Sequence, residues 1–435
     1  LWKKKTLPRA PSQETGWKGI LRFGPGEIAP DGGAISCGRL GCLGAAMRAG
    51  AVLRFLLRNL WHGLGRTRWR MKVLRITELE LKDFRNYEGC RFAPCEGVTV
   101  LLGDNGQGKT NVLEAVYLTC TGRSHRTRQD RELIRWGADF ADVKIAAQRR
   151  DGSHEVEILM PALGKRRLKV AGQEVSRSGE LLGHVTGVLF SPEDLRTVKD
   201  GPAERRRFVD MALSQLRPAY YYAMQRYNRA LKQRNELLRG ASVHPSLLAT
   251  LDSWDEQLAV NAVELMRHRR EYVDRLSAMA GQTHGDIAAG REELRIQYRP
   301  SIGGESVQDC LEALFGVRES DARRMTTSVG PHRDDVAVLV DGRDVRAYGS
   351  QGQQRTAALS MRLAELNVMR DEMGEWPVLM LDDVMSELDP SRRRRLLEHL
   401  RGIQTLVTCT DPDDLAGAEA GAVYRVERAA LRNLP

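Results

Sequence analysis

One octapeptide constrains this chain more than any other feature. Gly103-Asp104-Asn105-Gly106-Gln107-Gly108-Lys109-Thr110 fits the pattern G-x-x-x-x-G-K-T without a mismatch. Val98-Thr99-Val100-Leu101-Leu102 before it reads as a buried strand, and Asn111 to Cys120 after it reads as a helix. A loop of this kind turns backbone N–H groups inward around phosphates, at a helix N-terminus that already favours anions. Lys109 supplies a point charge and Thr110 a hydroxyl for Mg²⁺. Gly103, Asp104, Asn105, Gly106, Gln107, Gly108, Lys109, Thr110 and Asn111 are therefore the expected contacts to ATP. A glycine-rich turn without a ligand is the plain alternative, and the strand and helix on the correct sides weigh against it.

The net charge of +10 suggests a polyanionic partner until it is located. Residues 1–70 hold 13 Lys/Arg against 3 Asp/Glu, whereas the remaining 365 hold 54 of each sign. The folded body is thus neutral, and any nucleic-acid contact in it must come from local patches. The first 70 residues show no sustained period. Their apolar stretch, Gly41 to Gly63, is interrupted by Arg48, Arg54 and Arg58, which argues against a membrane span. The expectation is a non-native or disordered extension over 1–70, with Met71 opening the folded body. The 7 cysteines lack metal-ligand spacing, so a reduced, cytoplasmic compartment is the default.

Beyond Met71, Val73, Ile76, Leu79 and Leu81 suggest a first strand. Strand-like stretches near Val143–Gln148, Glu155–Met160 and Arg167–Val170 suggest an antiparallel meander. Residues 203–280 read as mostly helical. Tyr220, Met224, Tyr227 and Leu231 form one stripe, and Leu251, Trp254, Leu258, Leu265 and Tyr272 another, which gives an αα-hairpin. Its longer arm, about 35 residues, reaches roughly 50 Å. Strand character returns near Leu294–Tyr298. The domain expectation is an N-terminal part of the head over 71–202, a helical lobe over 203–290 and the rest of the head over 291–435.

Val378-Leu379-Met380-Leu381-Asp382-Asp383 is an apolar strand ending in two carboxylates, with 272 residues between Lys109 and Asp382. Asp382 is placed to face Mg²⁺ and Asp383 to orient the attacking water, as the catalytic residue. Ser350-Gln351-Gly352-Gln353 has the form of the signature segment of ABC-type ATPases, in which Ser350, Gly352 and Gln353 would meet ATP held by a second subunit. Ser386-Glu387-Leu388-Asp389 has the form of the D-loop, adding Asp389 to that shell. The fold class expected is α/β: an ABC-type P-loop ATPase head with an antiparallel β meander and an inserted helical lobe.

At this point the chain resembles the RecF family. The resemblance is carried by Phe84-Arg85-Asn86-Tyr87, Gly122-Arg123-Ser124-His125-Arg126-Thr127, Ser191-Pro192-Glu193-Asp194, Arg205-Arg206-Arg207-Phe208-Val209-Asp210, Leu231-Lys232-Gln233-Arg234-Asn235 and Gly330-Pro331-His332-Arg333-Asp334-Asp335. It implies a weak, DNA-stimulated ATPase of recombinational repair and replication restart. It also implies an ATP-dependent homodimer that clamps single- and double-stranded DNA at gaps or junctions. RecR and RecO are the implied partners and RecA the indirect one, with no membrane partner. Two positions depart from the transporter form of the site. Thr410 stands where a switch histidine is usual, and no Q-loop glutamine is evident, Ser191 to Asp194 occupying that region with Val188 near the expected place. Arg205–Arg207 divide evenly between structural pairing and DNA contact, for Arg392–Arg395 a solvated helix face is at least as well supported as DNA contact, and His125 reads as a local hydrogen-bonding residue. The competing readings are an ABC transporter ATPase, an SMC-like structural protein, and a nucleotide-sensing, DNA-associated adaptor without significant turnover.

Overall fold

The computed structural model describes residues 74–241, 244–387, 389–411 and 420–434. The extension expected over 1–70 lies outside them. β1 (Arg75–Phe84) and β2 (Tyr87–Phe92) form a hairpin, and β3 (Val98–Leu102) leads through the phosphate loop into α1 (Lys109–Thr121). β4 (Phe140–Arg149), β5 (Gly152–Pro161), β6 (Arg167–Val170) and β7 (Gln173–Val175) then extend the hairpin into a six-stranded antiparallel sheet of order β2-β1-β4-β5-β6-β7. The three meander stretches expected from alternation fall within β4, β5 and β6. In β4 every second residue from Ala141 to Ala147 is buried, as a sheet with one face on a core requires.

β8 (Gly187–Phe190) returns to the central sheet, and three helices follow: α2 (Pro202–Leu216), α3 (Pro218–Gly240) and α4 (Leu251–Ile287). α3 and α4 are the expected hairpin. Tyr220, Tyr227, Leu258, Leu265 and Tyr272 are buried along its seam, each contributing about 1.5–3 kcal/mol by leaving water. With 37 residues, α4 spans about 55 Å. The strand expected near 294–298 is β9 (Leu294–Arg299), which pairs with β10 (Asp335–Val340) and, beyond it, β11 (Arg343–Asp344). Leu294, Ile296, Val336 and Val338 pack in one core with α4. These strands therefore share the lobe's core, although they follow the boundary drawn at residue 290.

α5 (Gln351–Met373), β12 (Val378–Asp382), α6 (Pro390–His399), β13 (Thr405–Cys409), β14 (Ala420–Glu427) and β15 (Ala430–Leu434) complete the chain. The central sheet has the order β15-β14-β3-β13-β12-β8, parallel except for β15. It is covered on both faces, which explains the unbroken apolar runs of β3, β12 and β13. α1 lies between this sheet and the antiparallel one, in the core that holds Val112, Val116, Ile145, Val156 and Met380. On the opposite face, Leu359, Leu363 and Leu366 of α5 meet Leu379 and Val407. The other stripe of α5, Ala357, Met361, Ala364 and Val368, packs into the lobe, so this helix ties lobe to sheet. Gly374 closes α5 in the left-handed conformation at φ 72°.

Candidate functional site

The parallel order β3-β13-β12 sets the C-terminal ends of three strands side by side, and the site is built there. β3 delivers the phosphate loop. Gly103 donates its N–H to the Cys409 carbonyl at 3.3 Å and runs so close to β14 that a Cβ would sit 2.4 Å from the Val426 carbonyl oxygen. Gly108 has φ 116°, and a Cβ there would meet the Asn86 amide and the Tyr87 ring at 2.9–3.0 Å. No larger residue fits either position. Asp104, Asn105 and Gly106 are exposed, leaving the loop's outer face open.

Phe84-Arg85-Asn86-Tyr87 is the plate behind this loop. Tyr87 Oη donates to the Gly108 carbonyl at 3.1 Å, and Asn86 Nδ2 to the Gln107 carbonyl at 3.2 Å. The side chains of Gln107 and Asn111 are engaged within the chain. Gln107 Oε1 accepts the Arg428 N–H at 2.7 Å, while Asn111 bonds Asn86 at 2.8 Å and Arg126 at 2.9 Å. The Asn111 N–H also donates, to the Gly108 carbonyl at 3.0 Å, so of these two only Gln107 would offer phosphate its backbone N–H. Arg85 clasps Glu114 of α1 through two bonds of 2.8 and 2.7 Å, and Ser124 donates to the same carboxylate at 2.5 Å. Burial alone would raise the Glu114 carboxyl, but Arg85 and Ser124 outweigh it and hold the group below the usual range.

Lys109 Nζ donates to the carbonyls of Gly103 and Asp104. Burial lowers its ammonium below the usual lysine range, opposed by the carboxylates of Asp383, Asp382 and Asp104. Thr110 Oγ1 donates to Asp382 Oδ1 at 2.9 Å, so two groups expected to act together across the whole insertion do meet. Asp382 is buried, which raises its carboxyl, while hydrogen bonds from Thr408 and Thr110 pull it down. Asp383 has φ 52° and donates its N–H to Thr408 Oγ1 at 2.9 Å.

Thr408 is the residue that motif reasoning missed. Its hydroxyl donates to Asp382 Oδ1 at 2.8 Å and accepts from the Asp383 N–H, pinning both acids from the neighbouring strand. The candidate switch residue, Thr410, lies just past the end of β13 and is exposed. A second omission, Gln404, is buried at the head of β13. It bonds the Ile76 N–H and the carbonyls of Ile76 and Cys95, fastening the meander to the central sheet.

The signature segment is a helix N-terminus. Ser350 caps α5 in a reciprocal box with Gln353, whose side chain also reaches Glu292 at 3.1 Å. Ser350 is exposed, and a Cβ on Gly352 would meet nothing nearer than Ser350 Oγ at 3.9 Å. Among the described residues no hydrogen bond links this segment to residues 103–111. Asp389 caps α6, accepting the Arg392 N–H at 3.1 Å. Ser191 follows β8, beside the acidic strand, in a capping box with Asp194.

The arginine clusters resolve unevenly. Arg205 is buried in a two-pronged pair with Asp335 at 2.8 and 3.0 Å, which is structural. Arg392 pairs with Asp389, and Arg395 caps carbonyls at the end of α4, Ile287 at 2.8 Å among them. His125 departs from its expected role. Neither ring nitrogen has a hydrogen-bond partner; the ring packs edge-on against Tyr117, and burial lowers its pKa. Among the described residues, no helix is long and apolar enough to cross a membrane.

Comparisons with known proteins identify the relatives of this chain. Residues 75–430 match the family described as RecF/RecN/SMC N terminal domain. The DNA replication and repair protein RecF of Agathobacter rectalis is 41% identical over 339 residues, covering 78% of this chain and 93% of that protein. RecF of Geobacillus kaustophilus is 41% identical over 362 residues, covering 81% and 97%. Among solved structures, the recombination mediator protein RecF with ATPrS in the RecFOR pathway superposes with a TM-score of 0.79 at 33% identity, over 84% of this chain and 99% of that one. An Smc head domain from Pyrococcus furiosus, at 17% identity and a TM-score of 0.51, shares the fold alone. Identity of this extent over four-fifths of the chain gives one conclusion: it belongs to the RecF family.

Proposed function

We propose that this chain binds and hydrolyses ATP to close and open a dimeric clamp on gapped or junction DNA in recombinational repair and replication restart. The observation that carries the reading is the 2.9 Å bond between Thr110 and Asp382, which joins the phosphate loop to the acidic strand. The solved RecF relatives were determined with ATP and with ATPrS. RecO and RecR are the proposed partners here, RecA the indirect one, and the cytoplasm the proposed compartment.

Lys109 and the loop N–H groups at the α1 N-terminus would hold the phosphates. The Thr110 hydroxyl and the Asp382 carboxylate are adjacent hard-oxygen donors, which suits Mg²⁺ held by few protein ligands plus phosphate oxygens. Bound there, Mg²⁺ would offset phosphate charge. Asp383 accepts a hydrogen bond from the attacking water, whose oxygen adds to the γ-phosphorus as the bond to the bridging oxygen breaks, giving ADP and phosphate. Ser350, Gly352, Gln353 and Asp389 complete the γ-phosphate shell from the second subunit. The open space at Gly352 supports this, because its own chain places no demand for glycine there.

Steady-state ATP hydrolysis with and without gapped duplex DNA tests the reading. Turnover that rises on adding DNA and vanishes in Asp383→Asn is expected. ATP binding with no turnover in either condition would favour the nucleotide-sensing adaptor.

A further inference from the structure

The loops at one end of the antiparallel sheet carry a feature that the ATP site does not use. Trp136, between the Asp130–Leu133 turn and β4, is 97% exposed, and Leu163, between β5 and β6, is 89% exposed. An indole left almost wholly in water is unusual, since tryptophan is among the more buried residues. Both loops are held in place. The Arg135 N–H bonds the Asp83 carbonyl at 2.7 Å, and the Ala162 N–H bonds the Asp139 carbonyl at 2.8 Å, tying the Leu163 loop to the Trp136 loop. Arg166 pairs with Asp130 and donates to the Gly122 carbonyl at the C-terminus of α1. Trp136 therefore stands on a braced platform.

The surroundings are cationic. Arg123, Arg128, Arg131, Lys165 and Arg167 are exposed, and among the described residues none forms an ion pair. The exposed acids in these two loops are Glu132 and Asp139. Arg123 and Arg128 also line a cleft of about 850 Å³ between this end of the sheet and the helical lobe, whose far wall carries Arg206 and Arg207. A run of cations leading to a projecting aromatic ring is the pairing that single-stranded nucleic acid recognises: phosphates follow the charge, and an unstacked base covers the ring. A protein partner would find a small apolar patch surrounded by unneutralised charge, a poorer match. Continuous duplex offers phosphates but no free base face.

We infer that this end of the antiparallel sheet is a nucleic-acid contact, at which Trp136 stacks on an unpaired base of the gap or junction. The inference rests on the DNA-binding reading above and adds to it the residue that distinguishes unpaired from paired DNA.

The test uses the full chain with ATP and three fluorescein-labelled DNAs at matched salt: a continuous duplex, the same duplex with a gap, and a single strand. Trp136→Ala should bind the gapped and single-stranded DNAs roughly 5- to 150-fold more weakly, the loss of one stacked base. Its affinity for continuous duplex should change less than about threefold, and its DNA-free ATPase should match wild type. Trp136→Phe, which keeps a ring, should recover most of the loss. Arg128→Ala with Arg131→Ala should weaken all three DNAs and flatten the salt dependence by about 0.7–0.9 for each phosphate left without its cation. A photo-crosslink from 5-iododeoxyuridine in the gap should map to the peptide containing Trp136. If Trp136→Ala binds all three DNAs as wild type does, the inference is overturned and a protein partner becomes the better occupant. If wild type itself binds none of them, the underlying DNA reading fails instead.

Discussion

Thr408→Val replaces a buried hydroxyl with a methyl of nearly equal size, so packing is kept while two hydrogen bonds are lost. One runs to the Asp382 carboxylate at 2.8 Å and is worth about 1.5–3 kcal/mol as a bond to a charged group. The other satisfies the Asp383 N–H at 2.9 Å and is worth about 0.5–1.5 kcal/mol, water replacing part of it because Asp383 is half-exposed. The expected loss of stability is therefore about 2–4 kcal/mol, or roughly 3–5 °C in Tm for a body of this size. The loss should depend on pH. Burial already raises the Asp382 carboxyl, so between the ordinary aspartate pKa and the folded one the native state binds more protons, and this residue's contribution to stability falls as pH rises. Removing the Thr408 donor raises the folded pKa further and extends that fall to higher pH. The variant should thus be closest to wild type in acid and furthest from it near neutrality. Turnover should drop about 10- to 100-fold because Asp383 is no longer pinned, while ATP affinity, set by Lys109 and the loop, holds within about threefold. Thr408→Ser, which keeps the hydroxyl, should recover both. Thermal melts at several pH values and steady-state ATPase decide the matter; wild-type turnover in Thr408→Val would refute the pinning argument.

Three further outcomes follow from the same geometry. Glu114→Gln leaves Arg85 without its charge partner at a buried site and should cost about 3–5 kcal/mol at neutral pH; because the Glu114 carboxyl is depressed, its stabilisation is present above the ordinary carboxylate pKa and lost as pH falls through the folded one, so wild type and variant should converge in acid melts. Lys109→Ala should bind ATP roughly 10- to 150-fold more weakly in a calorimetric titration, whereas Asp383→Asn should bind within about threefold of wild type, persist as a dimer in ATP and lose at least about 100-fold in turnover. Gly103→Ala should fail to bind nucleotide in the same titration, since its Cβ would lie 2.4 Å from the Val426 carbonyl oxygen and the loop must move to admit it.

The parts of this molecule that were legible in the sequence are those written locally. The phosphate loop announces itself by glycine spacing, the meander by alternation and the α3–α4 hairpin by its stripes; Thr110 and Asp382 were joined only because both belong to one recognisable site. Thr408 was not legible. Its role depends on β13 lying between β3 and β12, and strand order in a parallel sheet is set by crossovers that no short window contains. Gln404 and Glu114 were hidden for the same reason, each being a polar residue in an apolar stretch whose partner lies on another element. A buried glutamine at the head of a strand, or a glutamate on the inner stripe of α1, is nonetheless a readable demand for a partner. The β9 strand was seen, but its period says only that one face is buried, not that the core beneath it is the lobe's.

The central claim is that one active site is assembled from two chains, and mixing two inactive variants tests it most directly. Ser350→Arg leaves Lys109 and Thr110 untouched, so the monomer should still bind ATP, but a bulky cation at the exposed helix N-terminus should block ATP-dependent dimerisation. Lys109→Ala spoils the phosphate loop and spares the signature. A heterodimer can then hold one complete site, with Lys109 from the Ser350→Arg chain and Ser350 from the Lys109→Ala chain. Hydrolysis by the mixture that exceeds the sum of the separate variants, rising toward half the wild-type rate, is the result this account predicts. Full activity of Ser350→Arg alone, as a dilute monomer, would contradict it and place the whole site within a single chain.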